Sequence, residues 1–256
     1  MVVYLAVSTL PASLAVRVAV AQTPGMPAAP VAAESLAADP DVLYRDRERA
    51  ASAMAAERIW AERVVVRAAD FESAWKLARV RYWLGTNGPG AAEAKKRALE
   101  GGIAAARAAM TTRPKAVEGH FWLAANMGAL ADAFGLRQGI KYRTPSRTAL
   151  EAALAADPAY LDGSPDRALG RWYFKVPDLF GGDPKKSEAH LRKALTYKSD
   201  SVISLLFLAE TLIDLERRTE ARAALQAALD ATADPEWLPE DTRFKAQARQ
   251  LLSTLK

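Results

Sequence analysis

The chain has no cysteine and only two histidines. The first absence removes disulfides, thiolate metal sites, cysteine nucleophiles and lipid attachment through an N-terminal cysteine. His120 and His190 lie far apart, neither has the spacing of an HExxH motif, and no thiol can complete a zinc set, so both are expected to be packed or surface imidazoles and no metal is expected. Charge of one sign is also in short supply. Against 30 acidic side chains stand 35 lysines and arginines, a net +5 spread along the chain. Nucleic-acid binders usually gather such charge on one face, so no nucleic-acid partner is expected. Past the first 21 residues no apolar run is long enough to cross a bilayer, and nowhere is there the sustained two-residue alternation of strands. The phosphate-binding Walker loop, G-x-G-x-x-G and G-x-S-x-G are all missing. Ser73-Ala-Trp-Lys76 matches S-x-x-K, but the companion S-D-N and K-T-G motifs are absent. Gly181-Gly182-Asp183 precedes a helix start, where Asp183 would cap the free amides and repel an anion. The surface carboxylates Asp214, Glu216 and Glu220 have Arg217 and Arg222 beside them. The expectation is therefore a chain without cofactor and without enzymatic activity.

What is present begins with a targeting signal. Residues 1–21 are almost entirely apolar or small and end in Ala19-Val20-Ala21 before Gln22, the small-x-small pattern of a cleaved signal peptide. The usual positive n-region is missing and Arg17 interrupts the run. If retained, the segment would be a membrane anchor, although Pro11 and Arg17 suit a span badly. Residues 22–40, rich in Pro and Ala, read as a mobile mature N-terminus, and 41–256 as one repeat domain. This organisation predicts an exported, periplasmic protein.

From about Asp41 onward the apolar pattern is helical. Leu205, Leu208, Ala209 and Leu212 fall at i, i+3, i+4 and i+7, and Ala221, Leu225, Ala228 and Leu229 do the same. Only Leu215–Thr219 separates these two stripes, so the helices must fold back as an antiparallel hairpin. The second helix recurs as a small residue, then Leu, then Ala: Ala221/Leu225/Ala228, Ser187/Leu191/Ala194, Ser146/Leu150/Ala153, and more loosely Ile103/Ala106. The spacing is near the ~34 residues of a tetratricopeptide unit, with insertions. One hairpin cannot bury its apolar stripe alone, whereas stacked neighbours can. The predicted class is all-α, an α-solenoid of tetratricopeptide-like hairpins. Its helices are expected at 42–67, 70–85, 91–111, 116–134, 145–156, 165–175, 184–197, 201–216, 218–231 and 240–254, with irregular insertions at Gly135–Pro145 and Val176–Gly182.

Aromatic side chains concentrate on the first helices of the hairpins, which in tetratricopeptide arrays line the concave groove. Registering Leu77-Ala78 on Leu208-Ala209 turns Trp75, Arg79, Tyr82 and Trp83 toward that groove, and Arg171 and Glu210 take equivalent positions. Asn126, also on a first helix, could supply a directional polar contact. The same rings at the same spacing equally suit core packing. These seven residues are the ligand-binding candidates, and the expected partner is another protein or a small anionic ligand paired with Arg79 or Arg171. A homo-oligomer is compatible with the pattern.

The words Gly119–Gly128, Asp157-Pro158, Gly163–Phe174 and Phe180–Asp183, in that order and spacing, resemble the T component of tripartite ATP-independent periplasmic (TRAP) transporters. The resemblance runs from about Val42 to Leu252. It implies a tetratricopeptide-like periplasmic protein working beside a solute-binding subunit. The cysteine that tethers many such components to lipid is absent. The C-terminal half, notably Glu240–Leu252, is also similar to the regulator of microtubule dynamics proteins.

Overall fold

The computed structural model describes residues 39–255. The expected signal segment and almost all of the expected mobile N-terminus lie outside the described residues. Among the described residues eleven α-helices make up the fold: α1 Pro40–Arg45, α2 Ala50–Val66, α3 Phe71–Asn87, α4 Ala92–Thr112, α5 Val117–Ala133, α6 Leu136–Ala156, α7 Tyr160–Lys175, α8 Pro184–Ala194, α9 Val202–Asp214, α10 Arg218–Asp230 and α11 Leu238–Thr254, with a short 3-10 turn at Asp178–Phe180. There is no strand among the described residues. The all-α solenoid expected from the sequence is the fold found. Antiparallel hairpins form from α3/α4, α5/α6, α7/α8 and α9/α10, preceded by α1–α2 and closed by α11.

The repeated small–Leu–Ala words are the packing device. Ser187, Leu191, Ala194, Ala221, Leu225 and Ala228 are all 0% exposed, and Ser146, Leu150 and Ala153 are no more than 5% exposed. Small residues let neighbouring helices approach, and each Leu fills the space left between them. One continuous apolar cluster runs from Tyr44 through Leu169, and a second from Leu191 through Leu255. Local chemistry sets several helix starts. Asp70 accepts from the Ser73 amide and hydroxyl at 3.0 Å each, and Asp183 from the Lys185 and Lys186 amides at 2.9 and 3.1 Å.

Two elements differ from the sequence-based expectation. The helix expected at 42–67 is broken at 46–49, because Arg47 turns inward to meet α11. Asp46 stabilises the restart by accepting from the Ser52 hydroxyl at 2.7 Å. The segment expected to be irregular from Gly135 to Pro145 is instead the first half of α6. An interior proline ordinarily breaks a helix. Here Tyr142, Ser146, Ala149, Leu150 and Ala153 lie at helical spacing and are buried on one face. The Arg143 carbonyl, next to the proline turn, accepts from both Ser146 Oγ and Trp172 Nε1 at 3.0 Å, tying that turn to α7. At the start of α7, Leu161, Asp162 and Gly163 take left-handed φ values of 45°, 58° and 76°, so the regular helix begins at Ser164-Pro165. Gly163 also lacks room for a side chain, since a Cβ there would sit 2.6 Å from Tyr197.

Ion pairs fasten the turns of successive hairpins. Lys198, in the α8–α9 turn, reaches Asp234 of the α10–α11 loop at 2.6 Å and Asp162 at 3.7 Å. The Lys198 ammonium holds the Asp234 carboxyl below its usual range, and Asp234 raises Lys198. A lowered carboxyl contributes stability above its unfolded pKa of about 3.9 and loses it as pH falls through the folded value. A raised ammonium contributes below about 10.4 and loses it as pH rises through the folded value. Urea unfolding of Lys198→Met against wild type should therefore show a deficit that is constant through neutral pH and shrinks in acid below about pH 4. A deficit unchanged across that acid window would mean the pair is not formed.

Candidate ligand-binding face

The first helices of the hairpins touch one another in series: α3 on α5, α5 on α7, α7 on α9 and α9 on α11. They present one continuous inner face. The array also closes on itself. Arg47, between α1 and α2, donates from Nη2 to Glu240 at 2.5 Å and to the Glu236 carbonyl at 2.7 Å. Arg243 of α11 stacks 4.4 Å over Trp83 and bonds Asn87 at the end of α3. The inner face is thus walled by α11 as well as by the hairpins.

Aromatic rings cluster at its N-terminal part, with Tyr82 and Tyr160 half-buried and Phe121 and Trp122 in the core behind them. Tyr82 lies 5.8 Å from Trp122, Trp122 donates from Nε1 to the Tyr160 hydroxyl at 3.1 Å, and Phe121 sits 5.4 Å from Tyr160. Burial raises the hydroxyl pKa of Tyr82, Tyr160 and Tyr44. The Tyr82 hydroxyl also feels Glu240, Arg167, Asp132 and Arg171, groups from α11, α7 and α5 that converge around it.

The seven candidates fall into four groups. Tyr82 and the half-buried Trp75 flank the face. Arg79 packs its guanidinium 4.0 Å from the Tyr44 ring and 5.1 Å from Trp75, with Asp41 at 3.5 Å, while its Nε has no partner. Arg171 and Glu210, equivalent positions of successive first helices, are brought together as an ion pair, with the guanidinium 4.2 Å from Phe207. Trp83 and Asn126 are enclosed. Trp83 is 3% exposed and donates to the Arg47 carbonyl at 2.9 Å. Asn126 is 0% exposed and donates to the carbonyls of Ala78 and Trp122 at 3.1 and 2.8 Å.

Sequence reasoning missed Arg167. It sits on α7 one turn before Arg171, a spacing of four that puts both on one helical face and could have revealed it. It is half-buried, and desolvation lowers its pKa to about 10, against opposing pulls from Asp162, Tyr82 and Asp241. It remains a cation at neutral pH. Its hydrogen bond goes to the Ser164 hydroxyl, and among the described residues no carboxylate lies within the 4.0 Å of an ion pair. Arg47, Arg79 and Arg171 all have acidic partners. A partly desolvated cation without one gains from any anion that supplies the negative charge.

Other constellations have structural partners. Lys76 is held by Glu72 at 2.6 Å and Asp41 at 2.7 Å, while Ser73 serves the Asp70 cap, so the S-x-x-K pair is not assembled as nucleophile and base. His120 meets the Pro114 carbonyl at 2.7 Å. His190 bonds the buried Asp166 at 2.7 Å and stacks on Tyr173 beside a cleft of about 270 Å³. No group of three or more potential metal ligands occurs among the described residues, and none of their helices is long and apolar enough to cross a membrane.

Comparison with known proteins places these features. No curated protein matches the chain. Among solved structures, a thermophilic tetratricopeptide protein of Thermus thermophilus is 22% identical with a TM-score of 0.62, over 84% of this chain and 97% of that one. Residues 41 to the end of MamA from Desulfovibrio magneticus RS-1 are 17% identical with a TM-score of 0.50, over 76% of this chain and 96% of that one. At these identities the likeness is one of fold. A tetratricopeptide repeat family matches residues 181–239. The regulator of microtubule dynamics protein 1-3 family matches residues 37–181, more than half the chain. That stretch holds the words Gly119–Gly128 and Gly163–Phe174, whereas Glu240–Leu252, on which the sequence comparison with these regulators leaned, lies beyond both matches. A tetratricopeptide-like solenoid whose first seven helices carry this signature, the chain belongs to the regulator of microtubule dynamics protein 1-3 family.

Proposed function

We propose that the chain is a non-enzymatic binding protein whose inner face holds an anionic group, either a small anionic ligand or the acidic end of a partner protein, against Arg167. The observation that carries this is the half-buried Arg167 guanidinium, bonded to the Ser164 hydroxyl with no carboxylate within ion-pairing distance, on the side of the face where Tyr82 lies. An anion would supply the missing charge, and the half-buried Tyr82 ring would supply apolar area beside it. Of the candidates Tyr82 lies on this side of the face, and the Arg171–Glu210 pair stands one turn beyond Arg167 along α7. Trp83 and Asn126 serve by holding the helices in place.

Mass measurement of the purified full chain, native and then denatured, would identify a bound solute. Calorimetry of that solute on Arg167→Met should show about a 10- to 100-fold loss, the size of a hydrogen bond to a charged group. Undiminished affinity would reject the reading. Recovery of a co-purifying protein in place of a solute would make the anion part of a partner. The finer reading places the chain outside the cytoplasm, assisting solute uptake beside a solute-binding subunit. It draws support from the signal-like residues 1–21 and from the transporter-like words in the sequence. It predicts that the co-purifying protein is such a subunit.

A further inference from the structure

Two turns at one edge of the array carry large apolar side chains into solvent. Leu136 is 76% exposed and Ile140 59% at the start of α6, and Leu179 is 88% and Phe180 46% exposed in the turn between α7 and α8. The two turns are neighbours. The Arg143 guanidinium lies 5.0 Å from the Phe180 ring, and Arg147 lies 5.4 Å from Trp172. From Phe134 to Arg147 the sequence holds Arg137, Lys141, Arg143 and Arg147 and no acidic residue. Arg147 pairs with Glu151 at 3.0 Å and nearby Lys175 with Asp132 at 3.1 Å. Arg137, Lys141 and Arg143 have no carboxylate within 4.0 Å among the described residues. Besides the paired Glu151 and Asp132, the edge carries the acidic Asp178.

None of the four apolar side chains lines the cleft beside Trp83 or the one beside His190. The apolar side chains stand proud of the turns instead of lining a recess that a folded partner could fill. Leu136 and Ile140 are one helical turn apart, and so are Arg137 and Lys141 beside them. Apolar tips flanked by uncompensated cations match a surface that is soft, apolar beneath and negative above. We propose that this edge docks the chain onto an anionic membrane surface, with Leu136, Ile140, Leu179 and Phe180 entering the headgroup layer and Arg137, Lys141 and Arg143 meeting its anions.

The test is co-sedimentation of the full chain with vesicles of phosphatidylcholine alone and of phosphatidylcholine mixed with phosphatidylserine, for wild type, Arg137→Gln/Lys141→Gln and Leu136→Ser/Ile140→Ser. All four positions are exposed, so unchanged circular dichroism would confirm folding. Wild type should bind the serine-containing vesicles far better, and added salt should weaken that binding. Each basic side chain near an anionic surface is worth about fivefold, so the charge variant should lose about 25-fold. The apolar variant should also lose binding. Residues 1–21 are common to all three proteins, so attachment through them would give equal binding by wild type and variants, and that result would overturn the proposal. So would failure of wild type to bind either vesicle, as expected if an acidic protein were the partner.

Discussion

Arg47→Ala should lower the free energy of unfolding by about 3–5 kcal/mol, the cost of removing one partner from a buried ion pair. Arg47 is 2% exposed. Besides Glu240 and the Glu236 carbonyl, its guanidinium faces the rings of Tyr44, Trp83 and Trp237 at 4.9, 5.2 and 5.8 Å. Deletion leaves the half-buried Glu240 without its counter-ion and empties the space between three rings. Burial already raises the Glu240 carboxyl above its usual range, with Arg47 opposing that rise, so in the variant the folded-state pKa climbs further. A carboxyl raised on folding contributes stability below its unfolded pKa, and that contribution is lost as pH rises through the folded value. The deficit of Arg47→Ala in urea unfolding should therefore be smaller in acid and grow toward neutral pH. Arg47→Met combined with Glu240→Leu should recover much of the loss, since it replaces the pair with apolar volume. A single-variant deficit below about 1 kcal/mol, typical of exposed pairs, would mean that the ends do not close in solution.

That closure changes how the solenoid behaves. In an open array each hairpin contacts only its neighbours, and the terminal units fray first. Here α11 contacts α9 and α10 and, through Glu240 and Arg243, reaches the α1–α2 turn and the end of α3. Opening the clasp should show first as faster amide exchange in α1 and α11, with the hairpins between them less affected. The same clasp walls the inner face on which Arg167 sits.

These end-to-end contacts are what the sequence could not reveal. Helices and hairpins were legible because each is encoded locally. The stripe from Leu205 to Leu212 and the small–Leu–Ala words are spaced by helical geometry, and their burial follows from it. Arg47 and Glu240 are 193 positions apart, and nothing in the local pattern around Arg47 marks a break in a helix. The first half of α6 was hidden for a different reason. Pro145 and Gly139 argue locally against helix, while the anchoring of Tyr142 and the Arg143 carbonyl is tertiary. The inner face was half legible. Registering first helices on one another put Arg171 and Glu210 at equivalent positions, which the structure joins as an ion pair, yet it could not separate a ring at the surface of that face from one behind it. Trp83 is one residue past Tyr82 and points into the closure.

Asn126 shows how a polar residue on a first helix can belong to the packing, and its neighbour Gly102 supplies a sharp test. A Cβ on Gly102 of α4 would sit 2.1 Å from Asn126 Oδ1 and 2.5 Å from its Cγ. The amide cannot retreat freely, because its Nδ2 bridges the Ala78 carbonyl of α3 and the Trp122 carbonyl of its own helix. Oδ1 has no partner, so the contact with Gly102 is steric. Gly102→Ala should cost about 1–3 kcal/mol from overpacking, even though alanine in a helix is intrinsically favoured over glycine by about 1 kcal/mol. In an Asn126→Ala background the obstruction is gone, and the same substitution should become neutral or stabilising by about that propensity difference. The sign of the Gly102→Ala effect therefore reverses between the two backgrounds, with a coupling of about 2 kcal/mol in a double-mutant cycle of urea unfolding. Additive effects would mean that α4 and α5 can part at little cost. The three-helix junction of α3, α4 and α5 would then not be the rigid base that holds Tyr82 and Trp122 on the inner face.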